Sequence, residues 1–184
     1  GDGRMTFLIK QVPGGLMSSW LQGASQDEPL QMTGPPRSFY LRAVTRPLLF
    51  LAGGTGLAPF LSMLEGLARN GATQPIHMVY GVTRDADLVL VERLQAYALQ
   101  IPGFTFSTCV ADPQTGHERQ GYVTHHLAAQ ALHGGNVDVY LCGPPPMVDA
   151  VQKHFKAEGI VPANFHYEKF TPTQPVAAVA EALA

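Results

Sequence analysis

The chain has 184 residues, 46% of them hydrophobic and 14% charged, with a formal net charge of −2. That length suits one ordinary domain, or a domain with a small attachment, and the apolar share suffices for a packed core. The near-neutral balance gives no electrostatic case for nucleic acid or an anionic membrane surface, no apolar run approaches the roughly 20 residues of a membrane span, and no signal peptide is visible.

The opening Gly1-Asp2-Gly3 has no Met and runs almost at once into a strand-like stretch, which is expected of a fragment with an upstream part missing. Phe7 to Val12 reads as a strand, Pro13-Gly14-Gly15 as a turn and Leu16 to Gln22 as a short helix. The glycine turn opening a helix that carries Ser18 and Ser19 suits a phosphate group; alternatively one of the serines is simply an N-cap. Leu30 to Thr33 and Phe39 to Arg42 are strand-like, separated by the breaker run Gly34-Pro35-Pro36-Arg37.

After Pro47 a regular alternation begins. Leu48 to Ala52 is a wholly apolar strand and Leu57 to Asn70 a helix ending at Gly71. Between them lies Gly53-Gly54-Thr55-Gly56, followed by Pro59 in the first helical turn. Glycine lets backbone approach a pyrophosphate, the helix N-terminus offers unpaired N–H groups, and Pro59 has no N–H to lose there. The spacing is neither the usual dinucleotide fingerprint, because Pro59 replaces the third glycine, nor a P-loop. A purely structural strand-to-helix turn is the competing reading.

Ile76 to Gly81 is the next strand, and Asp87 to Gln100 the next helix. Arg84 and Asp85 fall between them, where the adenosine ribose is usually recognised. A carboxylate there accepts from a ribose 2′-OH and repels a 2′-phosphate, favouring NADH, whereas Arg84 pulls the other way. Asp87 is equally readable as the helix N-cap. Phe104 to Val110 is a strand, Val123 to Leu132 a helix ending at Gly134-Gly135, and Val137 to Cys142 a strand. Gly143, Pro144 and Met147 follow at that strand's carboxyl end, and Pro146 to Glu158 is the last helix. Phe165 to Tyr167 completes the set. Apolar strands alternating with amphipathic helices predict an α/β fold: a five-stranded parallel sheet with helices on both faces. The last residues, 173–184, are small and Ala-rich and are expected to fray.

Cys109 and Cys142 are too few and too far apart for a disulfide framework, a structural zinc site or an ordinary iron–sulfur cluster, and as reduced thiols they fit a cytoplasmic protein. Cys142 is expected to face the cleft, or else to be a small core residue. The adjacent His125 and His126 diverge on a helix, and His77, His154 and His166 make no ligand spacing, so no metal site is expected.

The ordered segments GGLMSSWL, AGGTGLAPF, YGVTRDADL, YLCGPPPMV and YEKF resemble the ferredoxin–NADP reductase superfamily, and more narrowly the reductase components of benzoate and anthranilate 1,2-dioxygenase systems. The resemblance runs to about Pro172. It implies a ferredoxin domain with a 2Fe–2S centre, an antiparallel flavin barrel and an NAD domain, passing electrons from NADH through FAD to the iron–sulfur centre and on to the oxygenase component. It also implies that Gly15, Met17 and Ser18 lie at the flavin pyrophosphate. Gly54, Thr55, Gly56 and Pro59 line the nicotinamide-ribose and pyrophosphate site, Arg84 and Asp85 face the adenosine, and Gly143, Pro144 and Met147 complete the cleft. Cys142, Glu168 and Phe170 are the catalytic candidates, near the nicotinamide and the flavin ring. Residues 1–43 then correspond to the end of the flavin barrel and 44–172 to the NAD domain. The family's Arg-x-Tyr-Ser flavin signature and four-Cys ferredoxin set are absent, so the 2Fe–2S centre would belong to the missing N-terminal domain, and Arg37 stands where the family has Gly. A non-catalytic nucleotide-binding module is the alternative from another class. An ordinary dehydrogenase is a third reading, disfavoured by the lack of an evident acid–base residue beside the glycine turn.

Overall fold

A computed structural model describes residues 5–31 and 39–170. The five strands are β1 (Leu48–Gly53), β2 (Ile76–Val82), β3 (Phe104–Val110), β4 (Asp138–Gly143) and β5 (Asn164–Lys169). They form one sheet in the order β3-β2-β1-β4-β5, every pair parallel. The helices are α1 (Leu16–Gly23), α2 (Leu57–Asn70), α3 (Val91–Gln100) and α4 (Pro145–Ala157). The chain builds outward from β1 to β3, then returns to place β4 on the other side of β1. Strand order therefore reverses between β1 and β4, the switch point at which open α/β sheets bind ligands.

Every residue of β1 and β4 is buried, which is why neither strand shows polar alternation. The strand period of two nevertheless sorts the side chains. Leu48, Phe50, Ala52, Tyr80, Tyr140 and Cys142 face one side, against Phe60 and Leu64 of α2 and Leu94 of α3. Leu49, Leu51, Val79, Val139 and Leu141 face the other, against Val148, Val151 and Phe155 of α4. Each such fully buried leucine, valine or phenylalanine is worth about 1.5–3 kcal/mol. At the amino ends of the strands the buried Asp138 is satisfied by Arg46 Nη1 at 2.9 Å and Asn164 Nδ2 at 2.7 Å.

Several secondary-structure expectations fail. The runs 7–12 and 39–42 are irregular, not strands. A strand exists only beside a ladder partner, and none of the described residues supplies one. Phe7, Ile9 and Val12 are accordingly half exposed, while Leu8, Phe39 and Leu41 pack onto the α2 side of the sheet. The third helix starts at Val91. Asp85–Asp87 instead form a tight 3-10 turn, and Leu90, at φ +59°, offers its carbonyl to the amides of Arg93 and Leu94. The helix expected over 123–132 is replaced by short 3-10 turns, Val123–His126 and a run over Ala129–Gly135 that is broken by left-handed His133 and Gly134. His125 Nδ1 takes the Tyr122 amide at 3.4 Å and His126 Nε2 meets the Gln120 carbonyl at 2.9 Å, side-chain bonds that compete with helix formation. Leu30 and Gln31 are irregular. The rest of the 30–33 strand, the Gly34–Arg37 breaker run and the 173–184 tail lie outside the described residues.

Candidate functional site

Ala52 of β1 lies opposite Cys142 of β4, so the loops leaving these strands start side by side. After Gly53 the chain makes one tight turn, Gly54–Gly56, and enters α2; after Gly143 it passes Pro144 and enters α4. The two loops are pressed together. A Cβ on Gly56 would run into the Cys142 carbonyl, and one on Gly53 into the Met147 thioether; one on Gly143 would stand 2.8 Å from the Met147 Sδ and 3.3 Å from the Gly53 Cα. These glycines serve close packing. Gly54 differs: its φ is +55°, and a Cβ there would meet nothing within 4 Å. It is the glycine that leaves the backbone open to a ligand.

α2 has no side-chain cap, so the amides of its first turn have no side-chain acceptor, whereas α4 opens on Pro145 and Pro146, which carry no N–H, and its first amide, Met147, already donates to the Pro144 carbonyl at 3.0 Å. Bare backbone over Gly54 and the uncapped start of α2 fit a pyrophosphate, with the Gly143–Met147 loop as the facing wall. Thr55 is half-buried on the turn, and Pro59 sits in the first turn of α2 as expected. A groove of about 780 Å³ runs between residues 39–44 and α2 and touches this region at Pro59, so it lies along the helix rather than over the glycine turn.

On the other side of β4, Cys142 lies opposite Glu168 of β5, with Sγ 3.9 Å from Oε2. The thiol is fully buried and does not open onto a crevice. Burial, then the charge and hydrogen bond of Glu168, push its pKa up to about 12. It is a neutral donor to Glu168, not a thiolate nucleophile. Phe170 joins the same rim, its amide donating to the Gly143 carbonyl at 3.2 Å while its ring stays partly exposed.

The β2 exit carries the charged residues. Asp87 caps no helix. Its Oδ2 pairs with Lys10 Nζ at 3.0 Å and Arg84 Nε at 3.5 Å. Burial raises its carboxyl pKa, but Lys10 and Arg84 outweigh that and hold it below 3.8. Asp85 is exposed and accepts a 2.5 Å bond from Thr115 Oγ1. Thr115, in the β3 exit loop, is the residue that the sequence reading missed. The available signal was its place at the carboxyl end of a strand, the rule that found the other loops.

Gly15, Met17 and Ser18 are on the α1 turn. Ser18 is not an N-cap: its Oγ accepts from the Val12 amide at 2.9 Å. Among the described residues no hydrogen bond joins this turn to the two glycine loops; Lys10 ties its segment to Asp87 instead. No three His, Cys, Asp or Glu side chains are grouped as metal ligands among the described residues, nor is any helix there long and apolar enough to cross a membrane.

A five-stranded parallel sheet whose switch-point loops are pressed glycine to glycine beside the uncapped start of α2 defines a nucleotide-binding lobe. Residues 50–153 match the oxidoreductase NAD-binding domain family, and the chain belongs to it. It is 54% identical over 170 residues, 92% of its own length, to the toluate 1,2-dioxygenase electron transfer component of Pseudomonas putida, of which it covers 51%. To the 2-halobenzoate 1,2-dioxygenase electron transfer component of Burkholderia cepacia it is 48% identical, covering 94% of this chain and 52% of that one. Among solved structures an Amycolatopsis cytochrome P450 reductase superposes with a TM-score of 0.71 at 31% identity, over 89% of this chain and 51% of that one. The chain thus spans about half the length of the curated relatives it matches.

Proposed function

We propose that this chain is the NADH-binding lobe of a flavin-dependent reductase, the electron transfer component that serves a ring-hydroxylating dioxygenase in the cytoplasm. The observation that carries the reading is the meeting of the Gly53–Gly56 and Gly143–Met147 loops at the switch point, supported by relatives named as dioxygenase electron transfer components. Residues 44–172 form the NAD domain and 1–43 the end of the flavin lobe, with Gly15, Met17 and Ser18 toward the flavin pyrophosphate; a 2Fe–2S centre belongs to a ferredoxin domain outside this chain.

When bound, FAD converts a two-electron hydride donor into a one-electron source. The chain's own part is geometric. Gly54, Thr55 and Gly56 hold the dinucleotide's pyrophosphate on backbone amides, with Pro59 preserving the helix start. Gly143, Pro144 and Met147 close the other wall, and Arg84 and Asp85 take the adenosine end. Phe170 covers the reacting end with an aromatic face. Cys142 stays protonated and buried behind the rim, where its thiol donates to Glu168 and orients that side chain from below.

Calorimetric titration of the purified chain with NADH tests this. Saturable binding is expected, weakened at least tenfold by Gly54→Ala, whose Cβ would occupy the open space over the turn, a loss of about 1.4 kcal/mol or more. This chain alone is expected to hold FAD poorly; with the rest of the flavin lobe joined upstream, bound FAD is expected to bleach on addition of NADH. No binding heat, with or without FAD, overturns the proposal. Binding without bleaching in that longer protein leaves a nucleotide-binding module and overturns the reductase.

A further inference from the structure

Resting on the NADH reading above, we infer that Thr115 is a positioning residue for nucleotide choice: it fixes Asp85 at the rim as the acceptor for an unphosphorylated adenosine ribose.

Two carboxylates stand at the β2 exit, and only one is free to serve. Both cations of the loop region, Lys10 and Arg84, converge on Asp87. Asp87 is thereby spent, and the Arg84 charge that would welcome a 2′-phosphate is partly neutralised. Asp85 has no cationic partner among the described residues. One of its oxygens takes the Thr115 bond, and the other is left for a ribose hydroxyl.

Thr115 is itself held from every side. It is buried, at 7% exposure. Its amide donates to the Asp112 carbonyl at 3.1 Å, and its own carbonyl accepts from Gln120 Nε2 at 3.1 Å. Its hydroxyl oxygen accepts the His117 amide at 3.0 Å, so the single hydroxyl proton is committed to Asp85. The loop is in turn sewn to the β2 exit: Ala111 N donates to the Val82 carbonyl and Asp112 N to the Thr83 carbonyl, each at 2.9 Å. His117 anchors the far side, with Nε2 3.0 Å from Thr108 Oγ1 and Nδ1 accepting the Arg119 amide at 3.0 Å. An exposed aspartate that would otherwise rotate freely is thus set in one orientation before ligand arrives. That removes an ordering cost from binding a ribose diol and fixes a negative charge where a 2′-phosphate would have to sit.

The test is titration of the full chain with NADH and, separately, NADPH, for wild type, Thr115→Val and Thr115→Ser. Wild type is expected to prefer NADH. Thr115→Val is expected to weaken NADH about fivefold, the value of one hydrogen bond, while leaving NADPH unmoved, so the preference contracts by the same factor. Thr115→Ser restores it. In an Asp85→Ala background the valine change is expected to have no further effect on either nucleotide, which a general loosening of the loop would not give. An unmoved NADH-to-NADPH ratio in a folded Thr115→Val protein overturns the inference and leaves the NADH reading standing, as does an equal loss in the Asp85→Ala background. Should the valine variant not fold, Thr115→Ala carries the same comparison. Wild type binding neither nucleotide overturns both.

Discussion

The two halves of the rim are built by opposite means. At the β1 and β4 exits the loops are held by steric closeness: glycine lies on glycine and main chain on main chain, with the Met147 thioether across them. At the β2 and β3 exits two main-chain hydrogen bonds start the join and polar side chains complete it, Asp85 to Thr115 between the loops, His117 to Thr108 within the β3 exit, and Asp87 to Lys10 on the outer side. The first kind of join fails all at once when an atom is added. The second loses its strength one hydrogen bond at a time. A rim made this way has a rigid end and an adjustable end, and the proposed choice between NADH and NADPH falls at the adjustable one.

The largest effect is expected at the rigid end. Gly56→Ala forces a Cβ onto the Cys142 carbonyl and should cost about 3 kcal/mol, read as a lower urea midpoint; an unchanged midpoint would mean that the two loops are not in contact. Next come the two buried thiols. Burial pushes Cys109 up to about 11, with the charge of Arg119 opposing, and burial with Glu168 pushes Cys142 up to about 12, against 9.0 for an ordinary thiol. The unfolded chain thus loses these protons near pH 9 while the native one keeps them. Their stability contribution is whole below pH 9 and drains away as the pH rises toward 11–12. Urea midpoints between pH 8 and 10.5 should fall, and fall less in the Cys109→Ala/Cys142→Ala variant.

Gly54→Ala should cost only about 1 kcal/mol, from its left-handed backbone, because its Cβ meets no atom. Stability and nucleotide binding are therefore expected to part company between positions 54 and 56. The smallest effect is at the polar end. Lys10→Met removes a partly exposed ion pair worth about 0.2–1 kcal/mol. Since Asp87 has a lowered carboxyl pKa, that contribution is present above about pH 4 and lost as the pH falls further. The variant's acid-unfolding curve should converge on the wild type's at low pH.

The rigid end was legible from sequence because it is local. Each loop announces itself by glycines and prolines just after an apolar run, and neighbouring loops follow from strand order. The adjustable end was half legible. Asp85 was visible as a carboxylate in the right loop. Its partner sits thirty positions away in a stretch with no periodicity, and only the β2–β3 register brings Thr115 beside it. The same limit explains the misread opening segment. The run from Phe7 to Val12 has strand composition, but composition cannot supply the neighbour a strand requires. Asp87 reads equally well as a helix cap until Lys10, from far upstream, takes its carboxylate.

The strand order has a consequence for how the site comes into being. β1 is made early and pairs with β2 soon after, but its other neighbour begins only at Asp138, most of the domain later. Closing so long a loop is slow and comes late in folding. A nascent chain that has not yet reached Asp138 carries the Gly54 turn without its opposing wall. Affinity for a dinucleotide therefore arrives in a single late step, and ligand protection reports a finished sheet rather than a partly assembled one.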